Sequence, residues 1–443
     1  MVVVAVAGGL GELGGLITEA LKNTGKHEVY VLSRRTPPEQ PEWTSSLSGK
    51  SYNPVLETDY TSVEKLTEIL TIHKIHTVVC ALSMSSESAS TSQLRLVQAA
   101  EDTPSVKRFL PSEFNVNYDL PDDVLPYPPK EFHIASRRAL EKTSLEFSYV
   151  YPGMFMDYFG LPHVPSVLRD ICFVVDPEAG RAAIAGNGDA RMATCRTVDV
   201  ARYLALSLDL EKWPRVLKIV TSTVSINDLV VLYEKALKRK VTVEYQPVEA
   251  LKQHNGIMLP RNTKLASSFP RGSEGLKSVV CDLEASIALG AYDLDALDDS
   301  LDVIEEFKDS TEAPIKIEEL INMAWILSVN MPLIDANTPP TTTDDTHYVV
   351  YFASGEPSWC PDCRDALPAL NAVFGDNSAP TAHIVRVGSR EEWKGNSKNK
   401  YRNAPYNIQG VPTVVKVKYG QDVGRLGDIE SQNESDLRKL VKL

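Results

Sequence analysis

Two groups of residues at opposite ends of this 443-residue chain have the types and spacing to do chemistry. Near the C-terminus, Trp359-Cys360-Pro361-Asp362-Cys363 sets two thiols three positions apart. At a helix start this spacing lets both sulfurs close one disulfide with little motion. The helix dipole favours the thiolate of Cys360, the expected nucleophile, and Cys363, one turn inside, would resolve the mixed disulfide. Asp362 opposes a strongly stabilised thiolate, so the pair should reduce disulfides and not introduce them. A zinc site would need two more ligands, and no Cys or His pair follows at useful spacing, so no metal is expected. At the N-terminus, Gly8, Gly11 and Gly14 follow the apolar run Val2–Ala7. Glycines there let backbone approach backbone, and let a pyrophosphate rest on the N-terminus of the next helix. About twenty residues on, where an acid usually holds the ribose of NAD, stand Arg34 and Arg35. A guanidinium suits a 2′-phosphate, so NADP(H) is the expected cofactor.

These groups need elements to hold them. Val2–Ala7 reads as a buried parallel strand, with a helix after Gly14. Strands are expected at His27–Leu32, Val55–Tyr60, Thr77–Ser83 and Val106–Leu110. Helices are expected over Ser62–Leu70 and around Gln93–Ala100. Asp59 should cap the first of these or contact adenine. Strands alternating with helices predict an α/β fold with a doubly wound parallel sheet. Asn337–Thr346, rich in proline and threonine, reads as a linker within 331–346, dividing a domain at 1–330 from one at 347–443. A net charge of -13 argues against nucleic acid and anionic membranes as partners. No apolar run approaches a membrane span. Six cysteines in so long a chain are too few for a disulfide scaffold, so a reducing, cytoplasmic setting is expected.

The G-x-x-G-x-x-G spacing resembles that of extended and atypical short-chain dehydrogenase/reductases. Joined by Arg108-Phe109-Leu110-Pro111-Ser112-Glu113-Phe114, Arg137-Arg138-Ala139-Leu140-Glu141 and Tyr149-Val150-Tyr151-Pro152-Gly153-Met154-Phe155, it resembles the NmrA-like family over about residues 1–330. The isoflavone-reductase and phenylcoumaran-benzylic-ether-reductase branch is the nearest in kind. That resemblance implies a Rossmann domain binding NADP, a small helical C-terminal lobe, and reduction of a small, often aromatic, substrate. By position, Gly8, Gly11, Leu13 and Gly14 would hold the pyrophosphate and Arg34 the 2′-phosphate. Ser112, Glu113 and Phe114 would line the nicotinamide end, and Met154 and Phe155 would wall the substrate. The branch carries a lysine four residues before the first arginine of the Arg-Arg-Ala run, and here that position is His133. His133 could move a proton near neutral pH, or Lys130 could substitute. Tyr127 and Lys130 are no Tyr-x-x-x-Lys pair, since Pro128 and Pro129 break the helix that pair needs. Loss of the lysine also suits a nucleotide sensor without turnover.

The Trp-Cys-Pro-Asp-Cys motif, with Pro368 and Val411-Pro412-Thr413, resembles the cytosolic WCPDC-type thioredoxin-related proteins, also called thioredoxin-domain-containing protein seventeen. A thioredoxin fold over 347–443 is implied, with a cis Val411–Pro412 bond beside Cys360. Trp359, Val411 and Pro412 would contact disulfide substrates, and thioredoxin reductase would recharge the pair. The family's first strand and helix have no counterpart here. The two resemblances imply a bifunctional redox protein. The alternative is an NADP(H)-sensing regulator joined to a thioredoxin-like module.

Overall fold

A computed structural model describes residues 2–35, 37, 41–45, 47–295, 297, 299–330, 346–355, 358–374, 380, 382–419 and 421–442. The chain divides into two compact units. One comprises Met1–Tyr158, Ser166–Val230 and Thr242–Ile317; the other comprises Phe159–Pro165, Val231–Val241 and Glu318–Leu443. The linker expected over 331–346 lies, except for Thr346, outside the described residues.

In the first unit, β1 (Val3–Ala7), β2 (Glu28–Ser33), β3 (Val55–Glu57), β4 (Thr77–Cys80), β5 (Arg108–Leu110) and β6 (Glu146–Phe147) form one sheet in the order β3-β2-β1-β4-β5-β6. Every pair is parallel. The order reverses between β1 and β4, the crevice where such sheets bind ligands. Helices α1 (Glu12–Asn23), α2 (Val63–Ile72), α3 (Glu87–Glu101) and α4 (Lys130–Leu140) connect the strands. The central strands are buried on both faces, with Val4, Val6 and Val79 fully enclosed, which is why they read as unbroken apolar runs. Strands β4 and β5 are shorter than expected: past Cys80 only Ala81 N still bonds β1, at Ala7 O, and Val106 N closes a turn on Thr103 O before β5.

Beyond Tyr151 the unit adds α5 (Thr197–Ser207), α6 (Gly272–Ala288) and small sheets. Met154–Phe155 pairs with Arg191–Cys195, and Arg181–Ala185 with Thr242–Gln246. The N-terminus of α5 is tied by Asp157, which is fully buried and accepts from Thr197 N at 2.8 Å and Thr197 Oγ1 at 2.7 Å. Ser225 caps the helix Ile226–Leu237, accepting from Asp228 N at 3.0 Å.

In the second unit, β7 (His347–Phe352), β8 (Ala382–Arg386), β9 (Thr413–Lys418) and β10 (Gln421–Leu426) form a sheet ordered β8-β7-β9-β10. β7 runs parallel to β8 and antiparallel to β9. Among the described residues β8 pairs only with β7, the edge at which the family's first strand would lie. Helices α7 (Pro361–Phe374) and α8 (Glu434–Lys442) accompany the sheet. One apolar cluster built entirely from Tyr348 to Leu440 forms the core, with Val350, Leu370 and Val414 fully enclosed.

Candidate active sites

The glycine turn after β1 lies against the end of β4. Gly8 has φ +78°, and a Cβ on it would stand 2.8 Å from Ala81 O. A Cβ on Gly14 would stand 2.2 Å from Gly8 O. The backbone is therefore packed where a side chain cannot enter, and Gly11 N closes the turn on Gly8 O at 2.8 Å. Gly11 is also the N-cap of α1, with no side chain covering the first-turn amides. Leu13 sits half-buried in that turn. This is a fitting cradle for a pyrophosphate. Arg34 is exposed just past β2, near Tyr60, whose hydroxyl donates to Leu32 O at 2.8 Å. Asp59 does not cap α2. Its Oδ1 accepts from Thr61 N at 2.9 Å and Thr61 Oγ1 at 2.7 Å, while Ser62 takes the cap and accepts from Lys65 N at 3.2 Å. Asp59 lies three positions before the cap, so its short side chain closes a local turn instead.

Past β5, Ser112 is pinned from two sides. Its N–H donates to Gln93 Oε1 at 2.8 Å, and its hydroxyl donates to Leu82 O at 2.7 Å. The Glu113 carboxylate is committed to the Arg137 guanidinium, accepting from Nε at 3.0 Å and Nη2 at 2.6 Å. Arg137 also donates to Asn117 Oδ1, Asp119 Oδ2 and Tyr151 Oη. Burial pushes the Glu113 carboxyl up and Arg137 pulls against it; Glu113 in turn holds the guanidinium charged. Phe114 is half-buried and bridges to Val150. Met154 and Phe155 pair with Thr194 and Cys195; Met154 is buried, and Phe155 packs on the apolar core.

Lys130 begins α4, directly after Pro129, so Tyr127 lies outside the helix as its prolines require. Lys130 is turned to other work: its Nζ donates to Leu120 O at 2.8 Å and pairs with Asp122 at 2.6 Å. His133 is buried and lies flat on Tyr118, with ring centroids 3.8 Å apart at 10°. Burial lowers its imidazole to about 3, against a backbone bond to Ser112 that raises it. It is a neutral ring at physiological pH.

Around His133 gather residues that no motif marked. Tyr118 stacks on Tyr127 at 6.2 Å. Tyr127 and Tyr292 act electrostatically on Tyr118, and Tyr127 and Tyr158 act on Tyr292, with the Asn115 side chain beside Tyr118 and Tyr292 and the Arg137 guanidinium 5.9 Å from the Tyr118 ring centroid. Tyr158 meets Phe173 edge-on at 4.9 Å. These residues span more than 170 positions, and only the fold brings them together.

In the second unit, Cys360 immediately precedes α7 and Cys363 lies in its first turn. Both are free thiols and both are buried. The Val411–Pro412 bond is cis as expected. The Cys360 thiol donates to Val411 O at 3.3 Å, and Asp362 Oδ2 stands 3.9 Å from its sulfur. The Cys360 residue is only 6% exposed, with the Val411 carbonyl packed on its sulfur. Burial pushes the Cys363 thiol up to about 12, and Ala353 N donates to its sulfur at 3.4 Å. Trp359 is fixed by its indole N–H donating to Gly388 O at 2.9 Å.

Residues 2–294 match the NmrA-like family, and 334–442 match the thioredoxin domain of the thioredoxin domain-containing protein 17-like family. The chain belongs to the NmrA-like family and carries a C-terminal thioredoxin domain. It is 37% identical to the oxidoreductase BOA1 of Botryotinia fuckeliana (strain B05.10), over 52% of this chain and 74% of that protein. It is 30% identical to the isoflavone reductase homolog IRL of Zea mays, over 61% of this chain and 87% of that protein. Among solved structures, the binary complex of leucoanthocyanidin reductase with NADPH from Vitis vinifera shares the fold. Its TM-score is 0.53 at 17% identity, covering 72% of this chain and 98% of that one.

Proposed function

We propose that the NmrA-like domain binds NADP(H) and reduces a small organic substrate, and that the thioredoxin domain is a dithiol reductant of disulfides. The glycine cradle carries the first part, since no residue but glycine fits at Gly14 and the amides it bares suit a pyrophosphate. Arg34 would meet the 2′-phosphate, and Ser112 and Phe114 the nicotinamide end. Met154 and Phe155 would help wall the substrate. The NADPH complex of the Vitis vinifera reductase and the oxidoreductase names of the relatives support this reading. The Val411 carbonyl against the Cys360 thiol and the high Cys363 thiol support the second part: Cys360 attacks, and Cys363 stays protonated until the mixed disulfide forms. Trp359 and Val411 would flank a disulfide partner, and thioredoxin reductase would return electrons. Six free, buried thiols agree with a reducing, cytoplasmic setting.

Calorimetry should show NADPH binding more tightly than NADH, with Arg34→Ala narrowing the gap; equal affinities in the parent protein would refute the cofactor reading. For the thiols, Cys360→Ser should abolish disulfide reduction. Cys363→Ser should trap an adduct with cystine on Cys360, read by mass spectrometry. The second reading, a sensor without turnover, rests on His133 at the lysine position. Tight NADPH binding with no reduction of any substrate would favour it.

A further inference from the structure

A cavity of about 380 Å³, room for one small molecule, opens beside β6 at the edge of the first unit's sheet. Its lining includes none of the residues assigned above to NADP(H) or to a substrate. Alternation along the chain builds one wall. Phe147, Tyr149 and Tyr151 fall on one side, while Ser148 and Val150 are fully buried on the other. The three rings form a ladder, with centroids 5.8 Å and then 6.4 Å apart. Val216, paired with Tyr149, extends this apolar wall. Two of the rings are already covered. The Arg215 guanidinium stands 3.6 Å from the Phe147 centroid, and that of Arg137 stands 4.3 Å from the Tyr149 centroid. The rings therefore offer a ligand their edges, and the polar groups decide what enters.

Most of those polar groups are spent. Arg137 has five N–H groups, and bonds to Glu113, Asn117, Asp119 and Tyr151 use them all. Asp119 accepts from Arg137 and Arg138, and Glu141 accepts from Arg138 at 2.6 Å. Three lining side chains keep hydrogen bonds to give. Arg215 donates from Nη1 to Phe147 O at 3.3 Å and pairs with no carboxylate among the described residues, so its Nε–Nη2 edge is uncommitted. The Tyr149 hydroxyl makes no hydrogen bond among the described residues. Asn117 turns Oδ1 to Arg137 and Tyr151, which leaves its amide N–H groups. A guanidinium edge beside neutral donors suits a carboxylate, which it can grip by two parallel bonds. One uncommitted cation answers one negative charge. A second would meet Asp119 and Glu141, which also line the cavity.

We propose that this cavity is a further ligand site, taking a small organic monocarboxylate with one ring. The carboxylate forks onto Arg215 Nε and Nη2 and accepts from the Tyr149 hydroxyl. The ring lies along the edges of Phe147, Tyr151 and Val216. The site is complete without NADP(H).

Calorimetry on the full chain with benzoate, its neutral isostere benzamide and inorganic phosphate tests this. Benzoate should bind at least tenfold more tightly than either of the others. Arg215→Gln should lower benzoate affinity about tenfold and leave benzamide unchanged. Tyr149→Phe keeps the ring and should lower it about threefold. A thermal melt beside each titration shows that the variant is folded. If Arg215→Gln is not, Arg215→Lys, which keeps the charge and loses the fork, should still weaken benzoate about threefold. Absence of benzoate binding, benzamide or phosphate binding as tightly as benzoate, or a benzoate affinity that survives loss of the Arg215 fork would each overturn the proposal.

Discussion

Acidifying a buried neutral imidazole is costly, and His133 makes that cost measurable. Its folded pKa lies near 3, while an unfolded histidine protonates near 6.5. Above that value both states are neutral and the group contributes no slope. Between the two values only the unfolded chain takes the proton, so stability falls as pH drops, by up to ~1.4 kcal/mol per pH unit. A His133→Gln variant has no such group. Urea unfolding at pH 7.5, 6 and 5 should show the parent losing stability relative to it only below about pH 6.5. Arg137 supports the opposite test, since it neutralises a carboxylate with no exposed surface. Arg137→Met should cost about 3–5 kcal/mol by leaving Glu113 uncompensated, and adding Glu113→Gln should recover much of it. Which partner each polar residue takes was the least legible part of the sequence. Asp59 stood in range of a cap that Ser62 took, and Asp157 gave no sign that it would cap a helix 40 positions away. Glu113 was assigned to the cofactor by its place in a motif, yet its carboxylate is held by an arginine one helix later.

Secondary structure was far more legible, because local pattern decides it. Continuous apolar runs marked β1, β2 and β4, and Pro128 and Pro129 kept Tyr127 off the helix that Lys130 begins. Strand ends were not legible, since Cys80 and Arg108 leave or enter the sheet for reasons of pairing and not propensity. The turn from β1 to α1 invites a paired test. Gly14→Ala puts a methyl 2.2 Å from Gly8 O and must deform the turn. Gly15→Ala meets nothing nearer than 3.9 Å and lies inside α1. The first should abolish NADPH binding and lower Tm. The second should leave binding intact and add up to about 1 kcal/mol through helix propensity. A calorimetric titration beside a thermal melt reads both; equal behaviour of the two variants would refute this account of the cradle.

For the whole molecule, among the described residues the core of the thioredoxin domain draws on none before Tyr348. A fragment from Thr346 to Leu443 should therefore melt cooperatively and keep its thiol activity. Aggregation of the fragment, reversed by adding residues 1–330 in trans, would show that β8 needs cover from elsewhere in the chain. The two-domain plan was legible because each domain has its own dense motif. The tyrosine cluster was not, because Tyr118, Tyr127, Tyr158 and Tyr292 share no spacing and meet only through the fold. The cysteines give the chain one more property. All six are buried, four of them between Cys80 and Cys281 and two flanking Pro361 and Asp362. A brief pulse of alkylating reagent during gradual heating would mark each thiol as its surroundings loosen. Peptide mapping would then date the opening of each half separately, with no dye, tag or engineered probe.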